Sequence, residues 1–406
     1  MKILFASTSV TQPTGYARIS YMILKYLDKI GHDVYHFAFQ DFSSSGFDCG
    51  RRLPKSITVI DSTSLAKNMF GDDIWLETVK NIRPDVIITY NDLIVSSLLI
   101  NAMINEKKTC PFISYLDIVY PFQKKMLIDH VINYSDHVFV FSEFWKKHLT
   151  NDLGYSENKI SVFQHGIDKT TFREIDFARK KINIDDNDFI VLNFNRNSYR
   201  KMLDVSIKAF VNFFKRTGCA SNVKLMIHCN LNIDEGYNII DIIKNACKKE
   251  DVDENILLNA NIFMFSEKGQ NVSDEDINIA ANASDIGINT CGGEGFGLCN
   301  AEGGYLKKPQ IVSNVGGLSD IFEGFDNMLV NPKLYITLTK GIESQEGELA
   351  ICDYKDFADK MLFYYQNRDI LRKDGEKIHQ RIREKYDWDK LLKKFSDDLN
   401  QILLEK

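Results

Sequence analysis

Short apolar runs alternate with segments of helical periodicity along nearly the whole chain. The first run, KILFAS, precedes a segment in which Ile19, Ile23, Tyr26 and Ile30 recur on one helix face. A second series starts near Asp188 with DFIVLNFN, a helical segment, and then VKLMIHC. This alternation is typical of parallel sheets covered by helices. We therefore predict an α/β protein built from two Rossmann-like domains.

The two series are joined by a polar segment, GIDKTTFREID, that lacks a hydrophobic period. A chain of 406 residues is also too long for one hydrophobic core. We predict a first domain over residues 1–168 and a second over 169–386. The final segment carries an apolar stripe through Leu391, Leu392, Phe395, Leu399 and Leu403, which predicts a terminal amphipathic helix.

Charge and cysteine usage exclude several classes of function. The net charge of −6 does not favour nucleic acid, and nothing in the sequence supports a peripheral membrane contact. The eight cysteines are scattered singly without a C-x-x-C pair, so neither a zinc site nor a redox motif is expected. No cleavage site follows the first apolar run. We expect a cytoplasmic protein of undetermined oligomeric state.

A glycine-rich loop, CGGEGFG, lies between the predicted strand DIGINT and the predicted helix LCNAEGGYL. Ligands of open α/β sheets bind in loops at this edge of the sheet. The first-turn N–H groups near Gly297 and Leu298 can hold a phosphate there. Glu294 in the loop and Glu302 in the helix can accept hydrogen bonds from hydroxyls at different parts of one elongated ligand.

The alternative for this loop is a glycine-rich turn with two solvated glutamates. Gly303 and Gly304 inside the helix disfavour that alternative, because each costs about 1 kcal/mol relative to Ala. Such a cost needs a packing or a ligand reason.

A second candidate anion site lies in LNFNRNSYRKMLD, where Arg196, Arg200 and Lys201 precede another helix. Arg196 and Lys201 can flank a pyrophosphate, the first through its guanidinium fork and the second as a point charge. The alternative is a solvated basic loop. Because both loops follow strands of the same predicted sheet, we expect them to converge on one ligand.

Taken together, these motifs resemble family 4 glycosyltransferases of the GT-B architecture over nearly the whole chain. The matching elements are E-x7-E at Glu294 and Glu302, Arg-x4-Lys at Arg196 and Lys201, GID…F at Gly166–Asp168 and Phe172, PTGYAR with Gly15, and YDWD before the last helix.

The resemblance implies a nucleotide-sugar site in a cleft between the domains. It implies that Arg196 and Lys201 neutralise the donor diphosphate without a metal, that Glu302 binds the ribose, and that Glu294 binds the transferred sugar. It also implies that residues 387–406 pack back on the first domain. The donor-binding set is Gly15, Arg196, Lys201, Ser266, Glu294, Gly295, Phe296, Gly297, Leu298 and Glu302.

One feature departs from the family pattern. A histidine is common in the first domain of the family, but the matching region here reads FISYLDIVYPF. Asp117 is the best substitute as an acceptor from a sugar hydroxyl, and Tyr115 is less suited. The alternative for Asp117 is a strand-end or capping carboxylate. The predicted catalytic set is accordingly Glu294, Asp117, Arg196 and Lys201, whereas His165 is expected to be a packed histidine.

We therefore expect a retaining glycosyltransferase that moves a hexose from a nucleoside diphosphate sugar to a hydroxyl of a glycan, lipid or glycoprotein. No cofactor is required, and GDP-mannose is favoured on frequency in the family, with UDP-glucose second. The alternatives are a 2-epimerase-like isomerase and a non-catalytic module that binds sugar nucleotides. A nicotinamide dehydrogenase is disfavoured because no G-x-G-x-x-G follows the first strand.

Overall fold

The structure is a computed structural model and describes residues 1–41, 49–229, 236–264 and 272–404. The chain forms two compact units. Unit 1 comprises Met1–His165, Leu338–Glu348 and Trp388–Lys406, and unit 2 comprises Gly166–Thr337 and Leu349–Asp387. The segment Leu338–Glu348, inside the range predicted for the second domain, thus lies in unit 1.

Within the described residues, unit 1 contains a sheet of seven parallel strands. These are β1 (Lys2–Thr8), β2 (Asp33–Phe39), β3 (Thr58–Asp61), β4 (Val86–Asp92), β5 (Phe112–Asp117), β6 (His137–Val140) and β7 (Ile160–Val162). Their order is β3-β2-β1-β4-β5-β6-β7. Residues Ile3 to Ala6 of β1 are all buried, since helices cover both faces of a parallel sheet, and this explains the continuous apolar run.

Within the described residues, unit 2 contains a second parallel sheet, of six strands. These are β8 (Phe189–Phe194), β9 (Val223–His228), β10 (Ile262–Met264), β11 (Ile286–Asn289), β12 (Gln310–Ser313) and β13 (Leu329–Val330). The order is β10-β9-β8-β11-β12-β13, so the strand order reverses between β8 and β11. Loops that leave the carboxyl ends of these two strands therefore lie side by side at a switch point, where such sheets bind ligands. Two further strands, β14 (Leu334–Leu338) and β15 (Gly347–Ile351), pair with each other.

Sixteen α-helices lie within the described residues. They are α1 (Gly15–Lys29), α2 (Ser62–Leu65), α3 (Asp72–Ile82), α4 (Leu93–Asn101), α5 (Lys125–Tyr134), α6 (Glu143–Lys147), α7 (Ala178–Lys181), α8 (Leu203–Arg216), α9 (Ile239–Glu250), α10 (Glu254–Ile256), α11 (Asp274–Ala283), α12 (Leu298–Tyr305), α13 (Gly316–Ile321), α14 (Tyr354–Gln366), α15 (Arg368–Lys385) and α16 (Trp388–Leu404). Helix α1 begins where the side chain of Thr14 accepts a hydrogen bond from the Ala17 N–H at 3.3 Å.

The terminal helix α16 belongs to unit 1. Leu392, Phe395 and Leu399 of its predicted stripe are buried, whereas Leu391 and Leu403 are partly exposed. The ring of Phe395 stacks on that of Phe163 with 4.4 Å between centroids, a geometry that aromatic pairs favour. Among the described residues, no helix combines the length and the apolar character needed to cross a membrane.

Candidate functional site

The loops that follow β8 and β11 meet through backbone and hydroxyl contacts. The N–H of Gly292 donates to the carbonyl of Arg200 at 2.9 Å. The hydroxyl of Thr290 donates to the carbonyl of Met202 at 2.7 Å and lies 2.7 Å from the hydroxyl of Ser206 in α8. The two candidate anion-binding loops of the sequence are therefore one structural feature.

A cluster of three charged side chains lies where these loops meet. The ammonium of Lys201 forms an ion pair with the carboxylate of Glu294. Arg200 donates to the carbonyl of Gly293 at 2.6 Å and lies 3.7 Å from the other Glu294 oxygen. The three side chains are only 14%, 12% and 20% exposed for Lys201, Glu294 and Arg200 respectively. We refer to Lys201, Arg200 and Glu294 as the charged cluster.

The charged cluster keeps Glu294 ionised. Burial raises the pKa of this carboxyl, but the nearby charges of Lys201 and Arg200 and the hydrogen bond from Lys201 outweigh burial and lower the pKa to about 2. Two cations are thus held in place by a carboxylate of the protein. An anionic ligand that binds here would compete with that carboxylate for the same ammonium and guanidinium groups.

Three buried asparagines determine the path of the loop after β8. Asn195 donates to the side-chain oxygen of Asn193 at 2.9 Å, and Asn197 exchanges two hydrogen bonds, of 2.8 and 2.9 Å, with the main chain of Tyr237. Arg196 lies between two of these buried residues and is exposed. The structure therefore places Lys201 against Glu294, whereas Arg196 is exposed.

Arg200 is the member of the charged cluster that we did not include in the predicted site. The signal that could have identified it is its position directly before Lys201, since both residues immediately precede the helix.

The glycine-rich loop continues the site from Glu294 to the start of α12. Gly297 is the N-cap residue of this helix in the left-handed region, with a φ of 101°, and as a glycine it brings no side chain to the cap. The loop is buried at Gly295 and Phe296. A Cβ at Gly317 would lie 2.6 Å from the carbonyl oxygen of Gly295, so α13 starts in tight contact with this loop. Gly317 was absent from the predicted site, although a Gly-Gly pair after β12 is a visible signal.

Helix α12 carries Glu302, whose side chain is buried at 4% exposure. Close packing explains why the two residues that follow Glu302 are glycines. A Cβ at Gly303 would lie 2.8 Å from Cδ of Gln310, and one at Gly304 would lie 3.1 Å from Cγ1 of Ile378. Leu298 is the first residue of the helix and is partly exposed.

The predicted residues of unit 1 lie at the carboxyl edge of its sheet. Gly15 is the first residue of α1 and Asp117 is the last residue of β5. The hydroxyl of Tyr16 donates to a carboxylate oxygen of Asp117 at 2.5 Å. Sequence reasoning did not identify Tyr16. Ser266, the remaining predicted residue, lies outside the described residues.

Two residues near Asp117 have structural roles. The hydroxyl of Tyr115 is buried and donates to the carbonyl of Phe163 at 2.8 Å, so it is committed to the core. The ring of His165 lies 4.4 Å from that of Phe141, and burial lowers the pKa of this histidine to about 3. As expected from the sequence, His165 is a packed, neutral histidine.

Comparison with known proteins identifies the family. A model of glycosyl transferases group 1 matches residues 174–346, and a model of glycosyltransferase family 4 matches residues 13–171. The chain belongs to the family 4-type glycosyltransferases. The predicted resemblance is therefore confirmed. A comparison with curated proteins found no match to this glycosyltransferase.

Solved structures support the GT-B fold of the glycosyltransferase. Sucrose-phosphate synthase from Thermosynechococcus elongatus superposes with a TM-score of 0.77 at 13% identity, over 100% of both chains. HepE from Anabaena, in complex with UDP-glucose, superposes with a TM-score of 0.72 at 15% identity. The match covers 99% of this chain and 100% of the HepE chain. A glycosyltransferase from Rickettsia africae superposes with a TM-score of 0.70 at 19% identity, over 99% of this chain and 98% of the other. At these identities the likeness shows the fold.

In the part of the chain that the structure describes, no group of three or more His, Cys, Asp or Glu side chains could hold a metal. Side-chain cations and the amide groups at the start of α12 lie at this site and are suited to an anion.

Proposed function

We propose that this glycosyltransferase moves a hexose from a nucleoside diphosphate sugar to a hydroxyl acceptor, with retention of anomeric configuration and without a metal. The observation that carries this proposal is the charged cluster beside the glycine-rich start of α12. Two partly buried cations and a helix amino terminus are suited to a diphosphate. A carboxylate and a buried glutamate nearby are suited to sugar hydroxyls.

Binding of the donor begins with an exchange of partners. The diphosphate takes the ammonium of Lys201 from Glu294, which then accepts hydrogen bonds from hydroxyls of the transferred sugar. Glu302 accepts hydrogen bonds from the ribose, and Arg196 meets the diphosphate from the exposed side of its loop. The glycines at 295 and 297 let the backbone approach the ligand closely.

In the reaction, the bond between the anomeric carbon and the donor phosphate oxygen breaks. The acceptor oxygen attacks that carbon from the same face, and its proton passes to the departing phosphate oxygen. The negative charge that develops on the diphosphate is held by Lys201 and Arg200 of the charged cluster, by Arg196 and by the start of α12. This step leaves the configuration unchanged without a protein nucleophile.

The donor to test first is UDP-glucose. Frequency in the family favoured GDP-mannose, but HepE, a solved structure with a similar fold, is described in complex with UDP-glucose. We propose a hydroxyl-bearing glycan, lipid or glycoprotein as the acceptor class.

The test uses the purified chain with each donor in the presence of a chelator, with release of free nucleoside diphosphate as the readout. Slow hydrolysis that a Lys201→Ala variant loses supports the proposal. Magnetic resonance of the released or transferred sugar must show the anomeric configuration of the donor, and an inverted product contradicts retention. Exchange at C2 of the sugar would instead favour the isomerase, and donor binding without turnover would favour a non-catalytic module.

A further inference from the structure

A phenol and a carboxylate from distant parts of the chain meet at the carboxyl edge of the unit 1 sheet. Tyr16, in the first turn of α1, donates its hydroxyl to Asp117, the last residue of β5, at 2.5 Å. A hydrogen bond from a hydroxyl to an ionised carboxylate is short and about twice as strong as one between neutral groups. Such a bond restricts the rotation of the carboxylate.

A layer of aromatic rings holds the phenol in place. The ring of Tyr16 lies 5.2 Å from that of Tyr90 in β4, which stacks on Tyr115 in β5 at 4.8 Å. Tyr90 and Tyr115 are buried, and the Tyr115 hydroxyl donates to Phe163. Because β4 lies between β1 and β5, the Tyr16 side chain spans the end of β4 on this rigid support.

A second carboxylate at the same edge has a different role. Asp92 ends β4 and is aligned with Asp117 in the strand register. Its carboxylate accepts a hydrogen bond from the N–H of Val95 at 3.0 Å and caps α4. The capping role that sequence reasoning considered for Asp117 is thus performed at this edge by Asp92, whereas Asp117 is held by a side chain from another element.

We propose that Tyr16 is a positioning residue for sugar transfer, which orients the Asp117 carboxylate so that it accepts a hydrogen bond from a sugar hydroxyl. This inference rests on the proposed function. Burial, followed by the negative charge of Asp117, raises the pKa of Tyr16 well above its usual range. The phenol therefore keeps its proton and remains a donor to Asp117.

The test compares Tyr16→Phe, Asp117→Asn and the double variant by steady-state kinetics with the donor that the wild type turns over. Tyr16→Phe should lower kcat by about tenfold to a hundredfold, since a catalytic group displaced by about 1 Å costs that much. The KM for the donor should stay within about twofold, because neither Tyr16 nor Asp117 is among the proposed diphosphate contacts. The matched control is Tyr21→Phe in the same helix, whose ring contacts the Lys25 ammonium at 4.6 Å, and it should retain wild-type kcat.

The double variant separates positioning from a merely structural role. If Tyr16 acts through Asp117, the double variant loses no more activity than Asp117→Asn alone, whereas independent effects would multiply. Incorporation of 4-aminophenylalanine at position 16, which keeps the ring and a neutral donor, should restore kcat to within about threefold. If Tyr16→Phe lowers the melting temperature, the 4-aminophenylalanine variant still tests whether the hydrogen bond to Asp117 is needed for activity.

Wild-type kcat in Tyr16→Phe, or multiplying losses in the double variant, would overturn the inference while leaving the proposed function intact. A wild-type chain that turns over no donor would overturn the proposed function itself, and the inference with it. The two failures are therefore distinguishable in one set of assays.

Discussion

Replacing Glu294 by Gln tests the charged cluster through its dependence on pH. The pKa of Glu294 is about 2 in the folded chain, against an ordinary value of 4.5. One pKa unit corresponds to about 1.4 kcal/mol, so this carboxylate contributes about 3 kcal/mol to stability near neutral pH. Because the folded-state pKa is depressed, the contribution is complete above the unfolded pKa and is lost as the pH falls toward the folded pKa. By pH 3 about 2 kcal/mol of it is gone.

The assay is urea unfolding of wild type and Glu294→Gln at pH 7, 5, 4 and 3. All three tryptophans, Trp75, Trp145 and Trp388, lie in unit 1. Tryptophan fluorescence therefore reports the unfolding of unit 1, whereas far-ultraviolet circular dichroism reports the unfolding of both units. An unfolding transition that is seen by circular dichroism but not by fluorescence is assigned to unit 2. The difference in unfolding free energy between the two proteins should be at least about 3 kcal/mol at pH 7 and should shrink by about 2 kcal/mol at pH 3.

Comparing two proteins at each pH cancels the titration of every other carboxylate. The control is Glu275→Gln, which removes an exposed ion pair with Arg173 at 2.8 Å and should cost less than about 1 kcal/mol. A difference between wild type and Glu294→Gln that stays constant from pH 7 to 3 would refute the assigned pKa, and with it the ion pair with Lys201 in the ligand-free chain.

Three further predictions concern single residues. Lys201→Ala should raise the dissociation constant of the free nucleoside diphosphate about tenfold to a hundredfold, because a charged hydrogen bond is lost; an unchanged constant in calorimetry would remove Lys201 from the diphosphate site. Gly317→Ala should destabilise the chain by about 2 kcal/mol, since its Cβ would lie 2.6 Å from the Gly295 oxygen. Gly341→Ala, where a Cβ meets open space, should leave the melting temperature unchanged, and equal effects of the two variants would contradict this reading. His165, with a pKa of about 3, should show no ring titration by magnetic resonance between pH 8 and 5, and a midpoint near the ordinary 6.5 would contradict its burial.

Burial explains why the strand pattern was readable from the sequence. Strands of a parallel sheet that is covered on both faces must be apolar at consecutive positions, as Ile3 to Ala6 of β1 are. Helices covered on one face must instead repeat with their own period, as α8 does with Leu203, Ile207, Phe210 and Phe214 buried. The positions of the two ligand loops follow from this pattern, because the carboxyl ends of parallel strands share one edge.

Side-chain directions within those loops were not readable in the same way. Arg196 and Arg200 are chemically identical and four residues apart, and a loop has no period that assigns a face. The path of the backbone in this loop is fixed by the buried side-chain amides of Asn195 and Asn197, which form hydrogen bonds with Asn193 and Tyr237. The sequence does not show these hydrogen bonds. The pairing of Tyr16 with Asp117 was unreadable for a related reason, since it depends on which strand lies between β1 and β5.

The glycine pair in α12 separates two explanations that the sequence could not. A helical glycine costs about 1 kcal/mol, and either a ligand or close packing could justify it. The structure favours packing, because a Cβ at Gly303 would meet Gln310, which accepts a hydrogen bond from Asn300 at 3.0 Å, and a Cβ at Gly304 would lie 2.6 Å from Cδ1 of Ile382. Both glycines follow Glu302 in the sequence. Their close packing on Gln310 and Ile382 therefore fixes the position of α12 and of the Glu302 carboxylate. The packing of the two glycines therefore places Glu302, the residue that we propose for the ribose of the donor.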